Sequence, residues 1–214
     1  MLEREYTAAD EFVVRLDRFI RILLDNPGQS PRPYPADGIE ELPLICAERH
    51  HSAALMRVNH AGEVSAQALY KAQALTARDI EVRKTMRRSA FEETDHLSWC
   101  KTRLAELGGH TSYLCPFWFT GSFAIGVAAG MIGDKWNLGF VVETEHLVIR
   151  HLENHLQQLP VPDLRSRAIL AQMQEDEAHH ATLALHAGAA GLPEPVRQIM
   201  RLTSRIMTTT AYWI

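Results

Sequence analysis

Apolar residues recur at helical spacing along almost the whole chain, and no alternation of strand type appears. Near the start, Phe12, Leu16, Phe19, Ile20 and Leu23 follow Thr7-x-x-Asp10, a capping-box pattern with Asp in place of Glu. They predict an N-terminal helix within 1–24, docked on the main body or, alternatively, lying on a membrane surface. The Pro, Gly and Ser of "DNPGQSPRPYPADG" end it, and 25–47 reads as a linker. Beyond it the spacing predicts helices over 48–76 and 79–107, the second ended by Gly108-Gly109. Further helices are expected over 134–158, stopped by "LPVPD", over 162–187, stopped by "GAAGLPEP", and over 195–211. The fold class is therefore all-α. Two long helical hairpins are joined by a crossover over 109–133, within one bundle domain spanning 48–214.

Within that pattern some polar residues fall on the wrong face. Residues three, four and seven apart share a helix face. Glu177 thus lies with Leu170, Met173, His180, Ala181 and Ala184, whereas Glu175 keeps more polar company with Gln172, His179 and Thr182. The same device recurs in "FEETDHLSW", where Glu93 and His96 share a face with Met86, Ala90, Leu97, Cys100 and Leu104. Glu92 groups with Arg88, Ser89 and Asp95 and is expected to look outward. A Glu and a His three apart have Cβ atoms about 5–6 Å apart, close enough to share a metal. Asp176-x-x-His179 is a competing frame on a poorer face.

Each hairpin points to a partner for its pair. Residues level with each other in antiparallel helices lie symmetrically about the turn. Counting back from Glu93 through the turn at 77–79 reaches Glu63, and counting back from Glu177 through 160–162 reaches Glu145. Glu145 sits among Val141, Val142, Val148, Ile149, Leu152 and Leu156; the alternative, Glu143, shares its side with His146 and Arg150. Carboxylates on apolar faces without Lys or Arg are costly unless something cationic compensates. Two half-sites result, Glu63 with Glu93 and His96, and Glu145 with Glu177 and His180. This is the donor set of a dinuclear carboxylate centre in a four-helix bundle, with Glu93 and Glu177 expected to bridge. Mixed oxygen and imidazole donors suit iron or manganese better than structural zinc, and two divalent ions neutralise four carboxylates. The competing account is a bundle laced with internal salt bridges.

Charge and cysteine usage narrow the setting. A net charge of -4 gives no electrostatic case for nucleic acid. Three widely spaced cysteines, Cys46, Cys100 and Cys115, fit a reducing compartment and match neither a disulfide framework nor a Cys-x-x-Cys metal site. Glu3, Glu5, Asp10 and Glu11 speak against a signal or transit peptide.

With those residues in hand, the sequence resembles the ubiquinone-biosynthesis di-iron monooxygenase family, the 3-demethoxyubiquinol 3-hydroxylases, within the ferritin-like di-iron proteins. The likeness is carried by "MRVNHAGEVSAQALY" around Glu63, "EETDHLSWC" around Glu93 and His96, "GFVVETEHLVIRHLENHL" around Glu145, and "MQEDEAHH" around Glu177 and His180. It covers most of the chain after residue 48. The resemblance implies two iron ions per chain and hydroxylation of a polyprenylated methoxy-benzoquinol with dioxygen. Electrons would come from the quinol itself or from NADH, and the assembly is expected to be a homo-oligomer. It also implies a role for His151, which matches a family histidine beside the site and would orient the quinol or relay a proton. A plain polar-face histidine is the other reading. Tyr70, two turns beyond Glu63, either projects toward the pocket or packs in the core.

Two features bear on location. No charge interrupts "TSYLCPFWFTGSFAIGVAAGMIG", 111–133, which is long enough to span a bilayer. Its glycines and bunched aromatics instead favour lying in the interface, as a peripheral protein on the cytoplasmic face of a bacterial inner membrane. A covered crossover or a subunit interface is the alternative. Gly126-x-x-x-Gly130 would permit close helix packing. On the last helix Arg197, Arg201 and Arg205 recur every four residues. A solvated face accounts for them; contact with anionic lipid or an NADH phosphate is the functional alternative, with Arg205 meeting the cofactor. A soluble di-iron peroxidase and an iron-storage protein remain as competing functions, and the apolar crossover counts against both.

Overall fold

The computed structural model describes residues 32–214, so the expected N-terminal helix within 1–24 and the first part of the linker lie outside the described residues. Six helices follow in order: α1 (Cys46–Thr76), α2 (Ile80–Glu106), α3 (Cys115–Ile132), α4 (Asp134–Gln158), α5 (Leu164–His186) and α6 (Glu194–Trp213). The described residues form no strand. α1 pairs with α2 and α4 with α5; the hairpins meet through α2 against α5 and α1 against α4, a ferritin-like bundle.

Local chemistry sets the register. Asp79 caps α2 by accepting from the backbone N–H of Glu81 and Val82 at 2.7 and 3.2 Å. Asp134, in the first turn of α4, accepts from the backbone N–H of Arg78 and Asp79 at 3.0 and 2.7 Å, which ties the first hairpin's turn to the start of the second. α2 ends where Gly108 adopts φ +71°, a conformation that favours glycine.

The crossover is itself a helix. α3 lies along α1 and α4, and Gly126 and Gly130 face α1. A Cβ on Gly126 would stand 2.8 Å from the Leu69 carbonyl oxygen, and one on Gly130 would stand 1.8 Å from Thr76 Oγ1. The small-residue pair thus sets how close α3 approaches. α6 closes over α1 and α4 and is fixed at its far end, where Tyr212 Oη is 2.8 Å from His51 Nδ1 and Arg57 donates to the Tyr212 carbonyl at 3.0 Å.

Two large apolar clusters make up most of the core, and a small third one, Val58, Ala61 and Ala211, lies under α6. One large cluster contains Leu55, Met56, Trp99, Leu104, Leu152, Leu170 and Met173; the other contains Ala66, Tyr70, Met86, Leu138, Val141 and Ala184. On each bundle helix the two clusters flank a single polar layer at Glu63, Glu93, Glu145 and Glu177.

Candidate metal centre

That layer is dry. Glu63, Glu93, His96, Glu145, Glu177 and His180 are all buried, the most exposed of them at 3%. They fall into two overlapping groups, Glu63, Glu93, His96 and Glu177, and Glu93, Glu145, Glu177 and His180. Within each group one donor atom per residue lies within 4.8 Å of the others. Glu93 and Glu177 belong to both groups, the position required of bridging carboxylates; Glu63 and Glu145 belong to one each.

Both imidazoles aim Nδ1 at the carboxylates. His96 Nδ1 lies 3.3 Å from Glu63, 3.3 Å from Glu93 and 3.1 Å from Glu177. His180 Nδ1 lies 3.1 Å from Glu177, 3.6 Å from Glu93 and 4.0 Å from Glu145. Their other nitrogens are held across the bundle. His96 Nε2 donates to Asp176 Oδ2 on α5 at 2.9 Å, and His180 Nε2 donates to Glu92 Oε2 on α2 at 2.6 Å. Each hairpin therefore supplies a pair of adjacent acids, one facing the layer and one holding the other hairpin's histidine. Such an acceptor fixes which nitrogen keeps its proton and frees the other to bind a cation.

The electrostatics call for cations. Burial and the neighbouring carboxylates push the Glu63 and Glu145 carboxyls well above their ordinary range. Burial alone would lower both histidines. Hydrogen bonds donated to the surrounding carboxylates instead raise His96 well above its ordinary value and push His180 up to about 11. Protons on two carboxyls and two imidazoles would neutralise the layer; two divalent cations deliver the same four positive charges to neutral histidines. Both oxygens of Glu93 and of Glu145 are buried and accept no hydrogen bond, which is costly unless a cation takes them. Oxygen and imidazole donors of this kind fit a pair of iron or manganese ions.

An apolar cleft of about 270 Å³ reaches this layer at Glu63. Its walls come from α1 (Asn59, Gly62, Ala66), α3 (Trp118, Ile125), α4 (Thr144, Val148, His151) and α6 (Ile199, Met200, Met207). Ile125 and Ile199 are exposed and carry the apolar lining to the surface. His151 presents a buried Nε2 with no partner, and its burial lowers its pKa to about 4, so the ring is neutral near pH 7. Its ring centroid lies 3.8 Å from that of His155, with the planes tilted by 60°, and His155 Nδ1 is 2.8 Å from Asn59 Oδ1.

The structure brings the six expected acids and histidines together, and Glu143 falls outside, half-buried and 3.9 Å from Arg150. Tyr70 is a core residue whose ring meets His180 edge-on at 6.2 Å, with its hydroxyl buried and unpaired; it faces the polar layer and is not among the residues lining the cleft. Arg205 stands exposed on α6 and is not among the residues that line the cleft, while Arg197 and Arg201 pair with Glu194. The outward reading of Glu92 is corrected, because the side chain bends across to His180. Asp176 likewise serves His96 across the bundle, and His179, its expected partner, is exposed. The signal was present: each of these acids directly precedes an inward glutamate, and one residue along a helix turns a side chain toward the neighbouring helix.

Residues 50–211 match the family model described as "Ubiquinone biosynthesis protein COQ7". The chain belongs to this family. Among its relatives, a 3-demethoxyubiquinol 3-hydroxylase of Nitrosococcus oceani is 54% identical over 211 residues, 99% of each chain. Proteins of the same name from Nitrosomonas eutropha and Polynucleobacter asymbioticus are 53% and 52% identical, each covering 96% of this chain and 98% of the relative. Nearly end-to-end likeness of this kind favours the hydroxylase reading over the peroxidase and iron-storage alternatives.

Proposed function

We propose that this protein hydroxylates the ring of demethoxyubiquinol in ubiquinone biosynthesis, with dioxygen as oxidant and two iron ions as its cofactor. The observation that carries the reading is an apolar cleft ending on a carboxylate of a buried two-cation donor set. A prenylated quinol needs an apolar channel, and dioxygen chemistry needs the donor set.

Glu63, Glu93, His96, Glu145, Glu177 and His180 would hold the ions, with Glu93 and Glu177 shared. When bound, the ions supply the redox chemistry that lets dioxygen react with an aromatic ring. The ring carbon exchanges a C–H for a C–OH, and the second oxygen atom leaves as water, with two electrons and two protons coming from the quinol, or a hydride from NADH and one proton from solvent. Asp176 and Glu92 keep His96 and His180 in one tautomer throughout. The apolar clusters on either side of the layer exclude water, and the cleft orients the ring at Glu63. His151, neutral and with an unpaired Nε2, would accept a hydrogen bond from a quinol hydroxyl.

The substrate's prenyl tail also accounts for the outer surface. α3 is long and apolar enough to cross a membrane, yet it lies along α1, with Phe117, Ile125, Met131 and Ile132 exposed. α6 exposes Ile199, Leu202, Ile206 and Trp213, and Ile125 of α3 and Ile199 of α6 both line the cleft. This surface supports peripheral docking on the cytoplasmic face of the inner membrane, with the cleft opening toward the lipid.

The test is genetic and chemical. Deleting the gene in its host should replace ubiquinone with demethoxyubiquinone, restored by the unaltered gene and not by Glu177→Ala. A normal ubiquinone pool in a host with no second hydroxylase overturns the reading.

A further inference from the structure

The two histidines of the polar layer are held by unequal supports. His180 donates to Glu92, and Glu92 is tied by Arg88, one turn away on the same helix, at 2.9 Å. Arg88 is largely exposed, so this support is local to α2. His96 donates to Asp176 on α5, and Asp176 accepts from both ends of the Arg32 guanidinium, at 2.7 and 3.2 Å. Arg32 does not belong to the bundle. It stands in the arm that precedes α1.

Arg32 reaches His96 by a second route as well. Its guanidinium lies 4.9 Å from the centroid of the Trp99 ring, and that ring lies 5.3 Å from the His96 ring. The arm behind it is fastened to the α2–α5 face. Tyr34 Oη donates to Glu106 at 3.2 Å, Glu41 accepts from the buried Arg103 at 2.6 and 3.1 Å, and the Ile39 carbonyl accepts from Arg165 at 2.8 Å. A planar fork gripping two carboxylate oxygens while lying on an indole is a task for arginine rather than lysine.

We infer that Arg32 is a positioning residue for one half of the two-metal centre. Through Asp176 and Trp99 it fixes the ring plane and tautomer of His96, so that half of the centre depends on a segment outside the four-helix bundle. The inference rests on the two-metal reading above. Gln172 also donates to Asp176, at 3.1 Å, so removing Arg32 loosens the acceptor without freeing it. The expected effect is accordingly at the lower end of what outer hydrogen-bond partners of metal ligands contribute, about tenfold in affinity.

The test uses the full chain, stripped of metal and titrated with cobalt(II) under anaerobic conditions, followed by calorimetry and visible absorption. The unaltered protein should take two ions. Arg32→Ala should weaken one binding step about tenfold, change the absorption of that ion and leave the other step alone; Arg32→Lys, which keeps charge without the fork, should fall between. The thermal midpoint of the metal-free protein should stay close to that of the unaltered chain. Should Arg32→Ala fail to fold, Arg32→Lys carries the same test through a few-fold loss confined to one step. Two unchanged steps overturn the inference, and so do two steps weakened equally together with a lowered metal-free midpoint, which is general loosening. An unaltered chain that takes no second ion overturns the two-metal reading, and this inference with it.

Discussion

The carboxylate layer has two sides built from opposite materials. Toward α2, α5 and the arm, charged groups are linked in series: Arg32 to Asp176 to His96, Arg88 to Glu92 to His180, and a buried Arg103 shared by Glu41, Glu106 and Asp163. Toward α1, α4, α3 and α6 the wall is an apolar cleft in which the titratable groups are Glu63 and a neutral His151. Each material suits its task. Directional hydrogen bonds hold an imidazole in one plane and tautomer, which a metal ligand requires. An uncharged surface admits a quinol ring and a prenyl tail without competing for protons, and it keeps water from the reacting carbon.

The change that should collapse both sides at once is Glu177→Ala. Glu177 is shared by both donor groups and is within hydrogen-bonding distance of both histidines. Bound metal should fall from two ions per chain to almost none and ring hydroxylation to background, read by metal analysis and by quinone extraction. Retention of both ions would mean that the shared position is not what holds them.

Asp176→Asn should break the polar side alone. It leaves all six inward residues in place but replaces the carboxylate that burial would raise and that His96 and Arg32 hold down at about 2. Loss of that charged acceptor should cost about 10–100-fold in metal affinity or turnover while the cleft still binds quinol. An unchanged metal titration would show that the His96 ring is held by packing against Trp99 and not by its acceptor.

Ala66→Phe should break the apolar side alone. Ala66 is buried on the cleft wall, one turn from Glu63, and a phenyl ring there would take up much of the 270 Å³. Two ions should still bind, with kcat/KM reduced on the order of tenfold and the loss greatest for long-tailed quinols. A metal titration altered along with turnover would show the two sides to be coupled, against the division of labour drawn above.

How much of this was legible in the sequence follows the same division. Inward glutamates advertise themselves because their neighbours at three, four and seven residues are apolar; α4 begins and ends where Gly133 and Pro160 say it must, and Glu145 was separable from Glu143 on facing alone. The crossover helix was not legible as a helix, because α3 is apolar all round and lacks the periodic contrast that reveals one. Glu92 and Asp176 were missed for another reason. Glu92 has polar neighbours in Arg88, Ser89 and Asp95, Asp176 has Gln172 and His179 beside it, and the partners that make both structural, His180 and His96, stand on the opposite hairpin. Arg32 sits between prolines in a stretch with linker composition, and only its long-range partners, 144 residues away in the case of Asp176, give it a role.

The smallest effect is a test of neutrality on the apolar side. Burial lowers His151 to about 4, whereas the unfolded chain takes up that proton near pH 6.5. Between those values the unfolded state holds more protons, so the contribution of His151 to stability is complete above about pH 6.5 and is lost as the pH falls toward 4. His60, also lowered to about 4 by burial and by the charge of Lys101, adds a loss of the same sign. In His151→Gln the first of these disappears. Denaturant unfolding at pH 7 should show the variant less stable through lost packing, and the gap to the unaltered protein should narrow by roughly 1 kcal/mol per pH unit between pH 6 and 4.5. Parallel stability curves would mean that His151 accepts a proton in the folded state as readily as in water. Below about pH 6.5 the cleft would then present a charge to the quinol, and the contrast between the two sides of the layer would be one of packing rather than of electrostatics.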